Sequence, residues 1–199
     1  MSMSKHIVPF ANKVTRDERT RLNRNQGAVV WFTGLPASGK STTAAALERT
    51  LFDQGHQVFL LDGDHVRTGL NRDLGFTPED RKENIRRLSE VSKLMAEAGM
   101  IVLVAAVSPY QQERQCARMT SFPIPFLEVY VHCPVEECVR RDPKNHYKKA
   151  ISGEIAHFTG ISAPYEEPEQ PDAVINTAGS TVPNNVEILI ALLRSRSII

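Results

Sequence analysis

The sequence predicts a three-layer α/β domain built around a five-stranded parallel sheet. Two observations carry most of that expectation. Short apolar runs alternate with helix-periodic segments along the chain, the pattern of strands joined by crossover helices. The run Ile101 to Val107 is apolar without interruption, as a strand covered on both faces must be. A third observation sharpens the class. Gly34-Leu35-Pro36-Ala37-Ser38-Gly39-Lys40-Ser41 lies between an apolar run and a helical one, and it fits the phosphate-cradling pattern G-x-x-x-x-G-K-[ST].

The elements follow in order. Residues 1–26 are rich in Lys, Arg, Asn and Thr and read as an N-terminal arm or short helix ahead of a single domain, 27–199. Ala28 to Thr33 is a buried strand, and Ser41 to Gln54 the helix after the glycine loop. Val58 to Leu61 makes a second strand that ends in Asp62-Gly63-Asp64. Thr77 caps a helix with Pro78 in its first turn. That helix carries Ile85, Leu88, Val91, Leu94 and Met95 on one face and stops at Gly99. After the third strand, Pro109 to about Met119 is helical. Phe126 to His132 is the fourth strand, and a short helix starts at Pro134. Residues 142–172 are polar, carry Pro143, Pro164, Pro168 and Pro171, and read as a long structureless segment of the functional kind. Ala173 to Thr177 is the last strand. Pro183 opens a final helix with Val186, Leu189, Ile190 and Leu193 on one face.

Composition narrows the partners. The 199 residues are 41% hydrophobic and 24% charged, with a net charge of +1. Bulk electrostatics therefore give no reason to expect nucleic acid or a membrane surface. Cys116, Cys133 and Cys138 are odd in number and form no C-x-x-C pair, which suits reduced thiols in a cytoplasmic protein. No apolar run reaches the ~20 residues of a membrane span.

Three polar clusters fall at carboxyl ends of strands, where ligands of such sheets bind. In the glycine loop, backbone N–H groups and a helix N-terminus suit phosphate, Lys40 can reach outer phosphates, and the Ser41 hydroxyl suits Mg²⁺. The bland alternative is an ordinary strand-to-helix turn. Asp62 and Asp64 follow the second strand. One can serve the metal and the other can take a proton from an attacking hydroxyl, against the alternative of a plain acidic turn. Ser108 follows the third strand. Arg67, Arg81, Arg86 and Arg87 suit a second anionic ligand, with solvated helix charges as the alternative for the last two.

Seven stretches taken together carry a family resemblance: GLPASGKST (34–42), LDGDHVR (61–67), GLNRDLGF (69–76), DRKENIRR (80–87), VSPY (107–110), YKKA (147–150) and FTGI (158–161). In this order they resemble the adenylylsulfate kinases (APS kinases), over roughly residues 28–180. The resemblance implies a P-loop kinase fold with a mobile lid at about 142–172. It implies transfer of phosphate from ATP, with Mg²⁺, to the 3′-hydroxyl of adenosine 5′-phosphosulfate. It also implies a homodimer in the cytoplasm, and a separate ATP sulfurylase as functional neighbour, since no sulfurylase-like stretch is present.

Position by position, the resemblance assigns ATP to Gly34, Leu35, Pro36, Ala37, Ser38, Gly39, Lys40, Ser41 and Thr42. It puts Asp62, with Ser41, on the metal side and Asp64 at proton acceptance. Asp64, Arg67, Phe76, Arg81, Asn84, Val107, Ser108, Lys144, His157 and Phe158 match positions that hold the phosphosulfate nucleotide. Phe76 and Phe158 would stack on its adenine; read without the resemblance, both look like core residues. Lys40, Asp64 and Ser108 form the candidate catalytic set. Members of the family are described with a phosphoserine at the position of Ser108. A serine without an adjacent base is a weak nucleophile, so a positioning role and direct in-line transfer are favoured. Arg140 and Arg141, at the base of the lid, are candidates for contact with the transferring phosphate. Asn145-His146, Ser162 and Ala163 depart from the family's usual wording in the lid.

Rival readings are a kinase of another small hydroxyl compound such as a sugar acid, a guanine-nucleotide switch, and a non-catalytic nucleotide-binding module. The switch would need N-K-x-D late in the chain, and the one similar pair, Asn12-Lys13, lies ahead of the glycine loop without the aspartate. Intact Lys40, Ser41, Asp62 and Asp64 argue against the inert module.

Overall fold

The structure is a computed structural model that describes residues 13–199. The first part of the expected arm, Asn12 included, lies outside the described residues. The rest of the arm forms α1 (Arg16–Asn23), opened by a reciprocal capping box between Thr15 and Glu18. Asn23 Nδ2 donates to Gly99 O, and Gln26 N donates to Ile198 O, which ties this segment to the domain.

Then follow β1 (Ala28–Thr33), α2 (Lys40–Asp53), β2 (Val58–Asp62), α3 (Gly63–Val66), α4 (Pro78–Glu97), β3 (Ile101–Ala105) and α5 (Gln111–Ser121). The chain continues through β4 (Phe126–His132), α6 (Val135–Arg141), α7 (His146–Ile151), β5 (Ala173–Asn176) and α8 (Val182–Ser195). The five strands are all parallel, in the order β2-β3-β1-β4-β5. The expected sheet is therefore present, with the strand before the glycine loop at its centre.

Period-two alternation sorts the sheet's side chains into two layers. Val30, Phe32, Leu103 and Ala105 pack with Ala44, Leu47 and Leu51 of α2 and Leu189 and Leu193 of α8. Val29, Trp31, Val102 and Val104 pack on the other face with Ile85 and Leu88 of α4 and Ala117 of α5. A third, smaller cluster joins Tyr147, Ala150 and Phe158 to Cys133 and Cys138, with Leu35 and Ala37 of the glycine loop against it.

Two expectations need correction. The apolar run after Gly99 is strand only as far as Ala105; Ala106 N still donates to Phe32 O (3.2 Å), and the chain turns at Ser108, which has φ 41°. The segment 142–172 is not structureless. Asp142 accepts from the backbone N–H of Tyr147 (3.1 Å) and Lys148 (3.0 Å), which starts α7. A bridge between Thr159 and Ala163 follows. The segment's prolines lie at 143 and from 164 onward, so they leave this stretch free to fold.

Candidate functional site

Register decides where the polar clusters emerge. Phe32 of β1, Ala105 of β3 and Asp62 of β2 stand in one row across the sheet. The segments after these three strands therefore leave at one edge. There they surround a cavity of about 720 Å³, within the range of small-molecule sites.

The glycine loop forms one wall. Gly34 has φ 152°, and a Cβ there would stand 2.5 Å from Val131 O. Gly39 has φ 97° at the N-cap of α2. Both places exclude other side chains. Thr177 Oγ1 donates to Ser38 O (2.7 Å) and braces the loop from beyond β5. Lys40 is buried and folded over the loop, with Nζ donating to Gly34 O (2.9 Å) and Leu35 O (2.7 Å). Burial pulls its pKa down to about 8, while nearby Asp62 and Asp64 oppose that pull. Pro36, Ala37, Gly39, Lys40, Ser41 and Thr42 line the cavity, whereas Gly34, Leu35 and Ser38 shape the loop from behind.

Asp62 ends β2 and caps α3. Its Oδ1 accepts from the N–H of Asp64 (3.0 Å) and His65 (3.4 Å), and its Oδ2 from Ser41 Oγ (2.5 Å). A hydroxyl and a carboxylate oxygen in direct contact are the hard oxygen donors that Mg²⁺ prefers. Among the described residues no group of three or more His, Cys, Asp or Glu could hold a metal by itself. Asp64 is exposed and ion-paired with Lys144 of the segment 142–172, the expected lid; this bond raises the lysine's pKa above its ordinary value.

The opposite wall is aromatic and cationic. Arg67 donates to Leu74 O (3.2 Å) and Gly75 O (2.8 Å), and its guanidinium lies 4.5 Å from the centre of the Phe76 ring. Arg81 donates to Phe76 O (3.1 Å), Thr159 Oγ1 (3.1 Å) and His157 O (3.0 Å), so it staples α4 to the lid. Asn84 Oδ1 accepts from the buried Asn71 (2.9 Å). Val107, Ser108, Lys144 and Phe158 line the cavity as well. Phe158 is 7% exposed and packed on Tyr147, so it is a core residue of the lid that also lines the cavity. Phe76 is 63% exposed and is no core residue.

Several residues sit elsewhere. His157 lies in a small adjoining cleft and meets Arg81 through its carbonyl. Arg86 pairs with Glu83, and Arg87 with Asp73 and Glu83; both are helix-surface charges away from the cavity. Arg140 is 75% exposed and paired with Glu137, whereas Arg141 lines the cavity and is held by Glu137 and Thr177. Sequence reasoning missed Tyr147, whose hydroxyl donates to Pro36 O (3.0 Å) and fastens the lid to the glycine loop. It also missed the bond from Trp31 Nε1 to Ser108 Oγ (3.0 Å). Both are contacts between distant segments without a local signal.

A phosphate-cradling loop, a hydroxyl–carboxylate pair and a carboxylate at the mouth of a second-ligand wall define a P-loop kinase. The adenylylsulphate kinase family model matches residues 26–176, and the chain belongs to that family. An adenylyl-sulfate kinase of Staphylococcus epidermidis is 51% identical over 199 residues, all of both chains. One of Clostridium acetobutylicum is 48% identical over 98% of each. Among solved structures, the Mycobacterium tuberculosis APS kinase in complex with AMPPNP and APS has a TM-score of 0.83 and 46% identity, over 85% of this chain and 99% of that one. A gluconokinase of Sinorhizobium meliloti, at 14% identity and a TM-score of 0.58, shares the fold alone.

Proposed function

We propose that the chain transfers the γ-phosphoryl group of ATP to the 3′-hydroxyl of adenosine 5′-phosphosulfate, giving ADP and 3′-phosphoadenosine 5′-phosphosulfate. The observation that carries this reading is one cavity with two unlike walls. A glycine loop with Lys40 and Ser41 forms one, and Arg67, Phe76, Arg81, Asn84 and Phe158 form the other, with Asp62 and Asp64 between. Gluconate has no base to stack and no sulfate to pair with arginine, so the second wall argues for the nucleotide acceptor over a sugar acid.

The backbone of residues 34–42 and Lys40 hold the ATP phosphates. Ser41 and Asp62 would hold Mg²⁺, which when bound neutralises phosphate charge. Asp64 orients the 3′-hydroxyl and accepts its proton as the oxygen attacks phosphorus. Lys144 gives up its pairing with Asp64 and meets the acceptor's anionic groups instead. Arg67 and Arg81 meet the phosphosulfate, and Phe76 and Phe158 flank its adenine; base stacking is worth ~1–3 kcal/mol per base. Ser108 positions the acceptor. Its Oγ already accepts from Trp31 and donates to Ala106 O (3.3 Å), so no base stands ready to activate it. His157 contributes through the Arg81 staple. Closure of the lid keeps water from the γ-phosphate.

ADP release measured with adenosine 5′-phosphosulfate, against gluconate and other hydroxyl acceptors, tests the reading. Turnover with the phosphosulfate nucleotide should lead by orders of magnitude, and equal rates would move the assignment to a sugar-acid kinase. A homodimer belongs to the same reading and is checked by sedimentation. Among the described residues no helix is long and apolar enough to cross a membrane.

A further inference from the structure

Arg114 is a buried charge that the transfer mechanism does not use. It lies on α5, is 2% exposed, and spends its guanidinium on three separate segments. Its Nε donates to Glu128 of β4 (2.6 Å), one Nη to Ser108 O (2.8 Å) and the other to Glu166 O at the end of the lid segment (2.8 Å). Around this fork the lid end is strapped to the loop after β3. Glu166 N donates to Pro109 O (2.8 Å), and Gln111 N donates to the Glu166 carboxylate (2.7 Å). Tyr165 OH meets Thr33 Oγ1 (3.0 Å), and Thr33 in turn donates to Val107 O (2.8 Å). In the middle stands Ser108, a non-glycine residue at φ 41°. Such a conformation persists only where its surroundings over-determine it.

We propose that Arg114 is the positioning residue of the acceptor half of the site: it locks Ser108 in its left-handed turn and anchors the end of the lid at Tyr165–Glu166 to the same loop. The inference rests on the functional reading above for the identity of the acceptor. Lysine cannot replace the fork, because a point-like ammonium cannot meet three acceptors in one plane. Glutamate pairing alone would survive that change. The glycine loop does not touch Arg114, so ATP binding is independent of it.

The test compares wild type with Arg114→Lys by equilibrium binding of adenosine 5′-phosphosulfate and of a non-hydrolysable ATP analogue, with the fluorescence of Trp31 recorded alongside. Trp31 is the chain's one tryptophan, and its ring N–H bonds Ser108, so its emission reports the turn directly. Expected are acceptor binding weakened about ten-fold or more, ATP-analogue binding within about two-fold, and a shifted Trp31 emission maximum. Equal losses for both nucleotides, or wild-type Trp31 emission, overturn the proposal. Should Arg114→Lys fail to melt cooperatively, Tyr165→Phe decides, since it keeps the ring and removes one strap. An acceptor-selective loss of about two- to five-fold then supports the proposal, and unchanged binding overturns it. If wild type itself does not bind the phosphosulfate nucleotide, the functional reading falls, while the Trp31 emission of Arg114→Lys still tests the hold on Ser108.

Discussion

Lys40 is held by two carbonyl oxygens within a buried pocket, and burial is the largest influence on its charge. With its pKa lowered to about 8 against an ordinary 10.5, it is partly neutral above pH 8 in the fold. Phosphate oxygens favour the ammonium, so nucleotide binding near pH 8.5 should take up a fraction of a proton at Lys40, a contribution that fades as the pH falls toward 7. Titration calorimetry in two buffers of different ionisation enthalpy reads this uptake, and identical heats would refute it. Lys40→Ala should fold yet lose ~3–4 kcal/mol of transition-state stabilisation; near-normal turnover would remove the phosphate-loop assignment. Asp64→Asn keeps the shape but not the basicity, and turnover should fall by ~10²–10⁴. Ser108→Ala should leave measurable turnover, because it loses a positioning contact of about 1 kcal/mol. Inversion of configuration at a chiral γ-phosphorus agrees with one in-line displacement. Retention would make Ser108 the nucleophile.

The segment 142–172, the proposed lid, has two attachments. Near its start, α7 sends the Tyr147 hydroxyl to Pro36 O, and Phe158 packs edge-on against Tyr147 at 4.9 Å. Near its end, Tyr165 meets Thr33 at the end of β1, and Glu166 N donates to Pro109 O in the loop after β3. Between them Arg81 reaches Thr159 and His157 O. Phe158→Ala empties the small cluster that joins the lid to the glycine loop. It should weaken the acceptor more than ATP and speed amide exchange over residues 146–163, as local opening becomes cheaper. Equal losses for both nucleotides would make Phe158 a packing residue alone.

At the scale of the whole molecule, the site is a product of register. Because Phe32, Ala105 and Asp62 lie level, three segments far apart in sequence deliver their polar groups to one cavity. Stability and chemistry are accordingly separable. Leu103 is fully buried in the middle of β3. Leu103→Ala should cost ~2–5 kcal/mol in urea unfolding while kcat of the folded fraction stays near wild type. A matching loss of kcat would show that the sheet edge shifts with its core.

Much of this architecture was legible in the chain. The positions of the strands and longer helices follow from periodicity and caps, and the central strands β1, β3 and β4 stand out most because burial on both faces leaves little choice of residue. The edge strands β2 and β5 are only partly buried, and the short α3 and α7 carry no such signal. The glycine loop was legible because backbone geometry admits only glycine at Gly34 and Gly39. Asp62 and Asp64 stood out by following a strand. Tertiary structure decided the rest. It sorted four arginines of similar local context into Arg67 and Arg81 at the cavity and Arg86 and Arg87 on the helix surface. It gave Phe158 a place in the lid core and left Phe76 exposed beneath Arg67. It also brought Arg114, Trp31 and Tyr147 to partners between 6 and 111 residues away. Local pattern records which face of an element is apolar, whereas the partner of a buried polar atom is fixed only when the layers close and each such atom must find a hydrogen bond.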